Sequence, residues 1–290
     1  MSSHIEIYQS VFSVAILIIP PSKQTEGDVR VWLEYLIMTM KYSNLIRICA
    51  MLSIAAASCF AQATEPAPPV YICPKTAVAP AIDGRLDDEI WKSAPEITLA
   101  LSATGEPATK STKARMCWDD RFLYIAFECV DADIWGTMTK RDDLIYREEV
   151  VEAFLDPDCD LVRYYEFNVS PRNAIFDAYI VNPDGLNPGD GTAFGWNCEG
   201  VLSGVFVDGT LDDRTDTDRG WTCELAILFA GLGRQTPRSG ERWRANLYRI
   251  DLTPEPAEFQ AWSPTLYHPP RFHVPRRFGT IFFTEARKCK

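Results

Sequence analysis

Ala81-Ile-Asp-Gly-Arg-Leu-Asp-Asp-Glu-Ile-Trp91 opens the part of the chain whose reading decides the fold. Asp83-Gly84 is a turn signal, and residues 87–92 read as a short helix with Trp91 packing inward. A strand-like run follows, Trp118-Asp-Asp-Arg-Phe-Leu-Tyr-Ile-Ala-Phe-Glu-Cys-Val-Asp131, and then an acidic–apolar run, Tyr146-Arg-Glu-Glu-Val-Val-Glu-Ala-Phe-Leu-Asp156.

Strand signals dominate on both sides. Residues 113–118 and 122–130 flank Asp119-Asp120-Arg121 as a hairpin, and 164–169 and 174–180 flank Ser170-Pro171-Arg172-Asn173 as another. In the latter, Ile175, Asp177 and Tyr179 share one face, and Phe176, Ala178 and Ile180 the other. Residues 196–207 and 221–228 read as strands around an acidic loop. Residues 242–252 and 278–283 read as the last strands, separated by a proline-rich loop. Many short strands with turn-rich spacing predict an all-β fold, a two-sheet antiparallel β-sandwich of jelly-roll type with one or two short helices.

The N-terminus reads differently. Met40 is followed by Lys41 and Arg47, an apolar run over 48–60 and the small-x-small triplet Ala61-Gln62-Ala63. This is the anatomy of a secretory signal peptide, so residues 40–63 are expected to be a leader. Residues 1–39 are then an upstream extension, made or not made according to where translation starts. Acylation of Cys59 is a lipoprotein alternative. Residues 64–76 read as a linker, 77–285 as the sandwich and 286–290 as a tail.

Removing residues 1–63 takes away four basic and four acidic side chains, so the net charge of -11 is unchanged. That sign argues against nucleic-acid partners and anionic membranes. Val11–Ile19 is too short to span a bilayer, and no transmembrane anchor is expected. Seven cysteines remain beyond residue 63, with no Cys-x-x-Cys and only His268 and His273, which argues against a zinc site. Cys117, Cys129 and Cys223 are expected as small core residues on strands.

Ile82-Asp83-Gly84 with Trp91, Trp118-Asp119-Asp120 ahead of Leu123-Tyr124-Ile125, Glu148-Glu149-Val150-Val151-Glu152, Gly220–Ile227, Ala261-Trp262-Ser263 and Phe278-Gly279 occur in an order that resembles the type 9 carbohydrate-binding modules and their DOMON-like relatives. The resemblance implies a sandwich that holds a saccharide ligand, in the company of glycoside hydrolases and polysaccharide breakdown. It also implies two ligand-clamping rings, one before the acidic strand and one before the terminal Phe-Gly. Those places hold Tyr146 and Phe272, where the members best known for sugar binding have tryptophans. A smaller ring keeps the stacking geometry with less contact area. Trp196 and Trp262, at strand ends or in loops, are candidate walls, and Arg141 and Glu149 are candidate partners of sugar hydroxyls.

Other chemistries compete. Glu148, Glu149 and Glu152 invite a glycosidase reading, because hydrolysis uses paired carboxylates; alternation puts Glu148 and Glu152 on one face and Glu149 on the other. Asp156-Pro-Asp158-Cys-Asp160, Asp131 with Asp133, and Asp212 through Asp218 are oxygen-rich loops that suit structural Ca²⁺, against the reading that they are merely solvated. Haem held by residues such as Met116, Met138, Lys140 or His268, in a secreted electron carrier of the same fold, is an alternative of another class.

Overall fold

The structure, a computed structural model, describes Met38 and residues 65–285 of the chain. The predicted leader, Cys59 and the tail at 286–290 lie outside the described residues.

Alternation writes the strands. In the order of their pairing, the larger sheet runs β1 (Val70–Pro74), β13 (Gly279–Thr284), β11 (Arg242–Asp251), β6 (Val150–Asp156), β7 (Arg163–Val169) and β8 (Ile175–Val181). Two short strands complete this eight-stranded sheet: β12 (Glu258–Ala261) pairs with β11, and β3 (Ala100–Leu101) with β12. The second sheet has five strands in the order β2 (Ile97–Thr98), β4 (Thr112–Trp118), β5 (Phe122–Val130), β10 (Gly220–Leu228) and β9 (Leu202–Asp208). Every strand pair is antiparallel except β1 with β13. The expected sandwich and both expected hairpins are therefore present.

The inner faces meet in one core. Val151, Ala153 and Leu155 of β6 and Trp243, Ala245 and Leu247 of β11 join Leu123, Ile125 and Phe127 of β5 and Trp221 and Leu225 of β10. The cysteines behave as small core residues: Cys73, Cys117, Cys129, Cys198 and Cys223 are buried and free.

The opening stretch does not enter this core. The short helix α1 (Glu89–Ser93) lies on the outer face of the five-stranded sheet, where Trp91 packs with Tyr124, Ala126 and Ala226 in a satellite cluster. Glu224 of β10 ties the segment down, accepting hydrogen bonds from the Trp91 indole Nε1 at 2.7 Å and the Gly84 and Asp83 amides at 2.9 and 3.1 Å. Gly84 sits at φ +86°, and a Cβ there would meet the Val205 carbonyl carbon at 2.3 Å, so only glycine fits this turn.

Two boundaries differ from the sequence reading. Val70–Pro74 belongs to the sheet and not to the linker: Tyr71 and Cys73 point inward while Val70 and Ile72 point out, a period-two pattern whose partner strand lies at the far end of the chain. The strand predicted to start at Trp196 starts at Leu202, because residues 196–201 turn over the sheet edge before pairing begins.

The larger sheet is apolar on its outer face as well. Val150, Phe154, Tyr164, Phe176, Tyr248 and Phe278 form a second cluster there, which the proline-rich segment before β13 covers in part. Where that cover is incomplete, a cavity remains.

Candidate functional site

The cavity on the outer face of the eight-stranded sheet has a volume of about 410 Å³, and Tyr146 and Phe272 both line it. Residues distant in sequence meet because each is held by a different device. Tyr146 sits in the one-turn 3-10 helix Ile145–Arg147, anchored by fully buried Ile145, and its ring meets Phe176 of β8 edge-on at 5.2 Å. Phe272 lies in the proline-rich loop with its ring stacked on Tyr248 of β11 at 4.2 Å and 13°. The Tyr248 hydroxyl donates to the Phe272 carbonyl at 2.8 Å, which fixes the backbone beneath that ring.

Glu152 and Glu166 also line the cavity. The register pairs Glu152 with Asn168 and Phe154 with Glu166, so the two acids are diagonal neighbours on one sheet face. Their side chains are nearly sealed from solvent, at 2% and 5% relative exposure. Asn168 Nδ2 donates to Glu166 Oε1 at 3.0 Å, while Glu152 accepts no hydrogen bond among the described residues. Burial pushes Glu166 up to about 7, and burial plus the neighbouring Glu166 charge pushes Glu152 well above the usual carboxyl range. His273, also on the wall, shares a hydrogen bond with the Tyr164 hydroxyl through Nδ1 at 2.7 Å. Burial lowers it to about 4, so it is neutral at pH 7.

The other four candidates lie elsewhere. Trp262 is buried in the inter-sheet core, edge-on to Tyr71 at 6.4 Å and packed over Gly279. Trp196 packs on Tyr165 at 5.0 Å and Phe167 at 6.1 Å, residues on the inner face of β7, and so caps the core and not the cavity. A loop or strand-end position exposes an indole only if no neighbour covers it; here Trp262 is buried and Trp196 is half-buried against β7. Arg141 spends its guanidinium on the buried Asp177 carboxylate, at 2.6 and 2.8 Å, and on Asn197. Asp177 alternates with the cavity-side residues Phe176 and Ala178, which puts this ion pair on the opposite face of β8.

Glu149 points the same way, into the sandwich. It joins Asp131 and Asp251, with carboxylate oxygens within 4.8 Å of one another, all buried. Arg249 occupies the same cluster, its Nη2 2.9 Å from Asp131 and 2.6 Å from Asp251, and Lys110 Nζ lies 2.9 Å from Asp251. Burial and then the two neighbouring carboxylates push Glu149 up to about 9, so at pH 7 it is protonated.

Calcium does not fit here, because the Arg249 guanidinium already holds the place a cation would take. The acidic loops are engaged in the same manner. Asp156 accepts the Leu161 amide, Asp158 pairs with Arg234, and Asp218 accepts the Ile134 and Thr210 amides. We expect the melting temperature to be the same in 1 mM Ca²⁺ as in chelator. Ca²⁺ held by the native state at about 100 times its dissociation constant would add about 2.7 kcal/mol, a shift readily seen by calorimetry. Of the residues named for haem, Met116 is fully buried in the inter-sheet core, Met138 packs into the outer-face cluster, and Lys140 and His268 are exposed.

The sequence reading missed Glu166, Phe176, Phe259, Arg271 and the wall position of His273. For Glu166 a signal existed. It shares a face with Tyr164 and Asn168, a polar face on a strand whose other face, Tyr165 and Phe167, is core.

The outer sheet face thus carries an aromatic-walled, acid-floored cavity of a size that suits a small ligand. Residues 82–285 match the carbohydrate family 9 binding domain-like family, and the chain belongs to it. An "Extracellular protein" of Arthroderma benhamiae is 28% identical over 246 residues, covering 82% of this chain and all of that one. The exoglucanase XynX of Acetivibrio thermocellus is 34% identical over 87 residues, 30% of this chain but only 8% of that enzyme. In three dimensions, a family 9 carbohydrate-binding module from Caldicellulosiruptor kristjanssonii, solved with cellotriose, superposes with a TM-score of 0.53 at 17% identity over 76% of this chain and 95% of that one. Among the described residues no helix is long and apolar enough to cross a membrane.

Proposed function

We propose that this protein is an exported, non-catalytic carbohydrate-binding protein of the DOMON-like type that holds saccharide between Tyr146 and Phe272 and supports polysaccharide degradation. The observation that carries this reading is the shared cavity: both rings line it, beside the buried Glu152 carboxyl. An apolar pyranose face packs on an aromatic ring, while carboxyl oxygens on the floor take hydroxyl protons. Family membership and the cellotriose-bound relative support the ligand class. The extracellular relative supports export, and the enzymes that share a segment with this chain support a setting in polysaccharide breakdown.

Glu152 and Glu166 also bear on the glycosidase alternative. Both rise from adjacent strands on one face, so a bound ring meets both from the same side. Hydrolysis needs its two carboxyl groups to flank the scissile bond. The purified protein is expected to bind oligosaccharides on a glycan array and to release no reducing sugar from them. Exported from its host with its own leader, it is expected to begin at Thr64. An array without a saccharide hit would refute the binding assignment, and a retained Met1 would refute the leader.

A further inference from the structure

The floor of the cavity is short of positive charge. Glu152 and Glu166 are both more than nine-tenths buried and lie side by side, and among the described residues no Lys or Arg pairs with either. The nearest ionisable nitrogen, His273 Nε2, is 3.9 Å from Glu166 Oε2, and its ring is neutral at pH 7. The other groups on this face are committed elsewhere: the Tyr248 hydroxyl to the Phe272 carbonyl, the Tyr164 hydroxyl to His273 and Asn182, and the Arg244 guanidinium to the Phe278 and Arg276 carbonyls. Arg271 is exposed at the mouth and bonds Asn187, not the floor acids. Buried carboxylates elsewhere among the described residues have cations beside them, with Arg141 on Asp177 and Arg249 and Lys110 on Asp131 and Asp251. Two adjacent buried carboxyls without a cation are costly unless they hold a proton or meet a ligand's positive charge.

We propose that the ligand of this cavity carries that charge: an amino sugar with a free ammonium group, such as a glucosamine unit, seated with its ring between Tyr146 and Phe272 and its ammonium on Glu152 and Glu166. This rests on the saccharide reading above and narrows it. An ammonium offers three donors and no acceptor, which suits an unpartnered Glu152 carboxyl and the free oxygen of Glu166. Charge-assisted hydrogen bonds formed out of water are stronger than those a neutral hydroxyl makes. An N-acetyl group would remove the charge and add bulk over the acids. Because the floor holds protons at pH 7 in the free protein, seating an ammonium expels one, whereas a neutral sugar expels none.

The test is titration calorimetry on the full chain at pH 7 and low salt, with the β-1,4-linked glucosamine dimer, its N,N′-diacetyl form and cellobiose, each in two buffers of different ionisation enthalpy. The glucosamine dimer is expected to bind about ten- to a hundredfold more tightly than cellobiose and to release a proton to the buffer. In Glu166→Gln, with folding checked by a thermal melt, that preference is expected to shrink about tenfold. Cellobiose binding as tight as or tighter than the glucosamine dimer would overturn the ammonium assignment and leave the saccharide reading intact. Amine binding without proton release would place the ammonium away from the floor acids and overturn it too. Failure of all three sugars to bind would refute both.

Discussion

Replacing Trp118 by alanine is expected to cost about 3–5 kcal/mol, the scale for deleting a large buried aromatic. The ring is 1% exposed and meets Phe283 edge-on at 5.5 Å. Its indole Nε1 lies 3.2 Å from both the Cys73 and Thr284 carbonyls, so one donor ties together β1, β4 and β13. Deletion therefore opens a cavity at the seam between the two sheets and unpins the parallel edge strand as well. In a domain of this size the melting temperature should fall by roughly 6–20 °C. Urea melts of the wild type and of Trp118→Ala and Trp118→Phe check this. A loss below about 1 kcal/mol for alanine would mean the seam is not packed as described.

Arg249→Ala is expected to be as damaging, for an electrostatic reason. Its side chain is wholly buried and donates to the Thr112 hydroxyl at 3.2 Å, the Val130 carbonyl at 2.8 Å and Asp131 at 2.9 Å. Removing it leaves Asp131 and Asp251 in the interior with Lys110 alone, and breaking a buried pair in this way costs about 3–5 kcal/mol. The triple variant Arg249→Met, Asp131→Asn, Asp251→Asn should recover most of the loss, because it removes the charges along with their partner. If the single variant is as stable as wild type, water reaches the cluster and its burial is wrong. If the triple variant is no better than the single, packing and not charge is at stake.

Local pattern made much of this fold legible. The hairpins at 119–121 and 170–173 stand where turn residues separate alternating runs, and the faces assigned to Phe176 and Asp177 are the faces they occupy. Pairing across the whole chain is not written locally. β1 finds β13 with the rest of the domain between them, so Val70–Pro74 carried a strand pattern but no visible partner. β12 hid for a different reason: four residues set among prolines give too short a run to read.

The site divides along the same line. The resemblance leads to Tyr146 and Phe272, which line one cavity, whereas Glu152 is named only among the acids of a glycosidase reading and Glu149 is preferred to it. That Trp196 and Trp262 are covered, and that Arg141 is claimed by Asp177, depends on what lies across the sandwich, which no window of sequence displays. Glu149 drew notice as an acid of the right strand, but it faces the interior, where Arg249 and two aspartates settle its role.

The cavity between Tyr146 and Phe272 is the proposed saccharide site. Both rings are only partly buried, so their loss should weaken binding more than folding. The most direct measurement is titration calorimetry beside thermal melts on Tyr146→Ala and Phe272→Ala, with the tightest-binding oligosaccharide from the array as ligand. Each variant is expected to lose about 1–3 kcal/mol of binding while remaining clearly more stable than Trp118→Ala. Normal saccharide binding by both variants, or unfolding as ready as that of Trp118→Ala, would contradict the assignment.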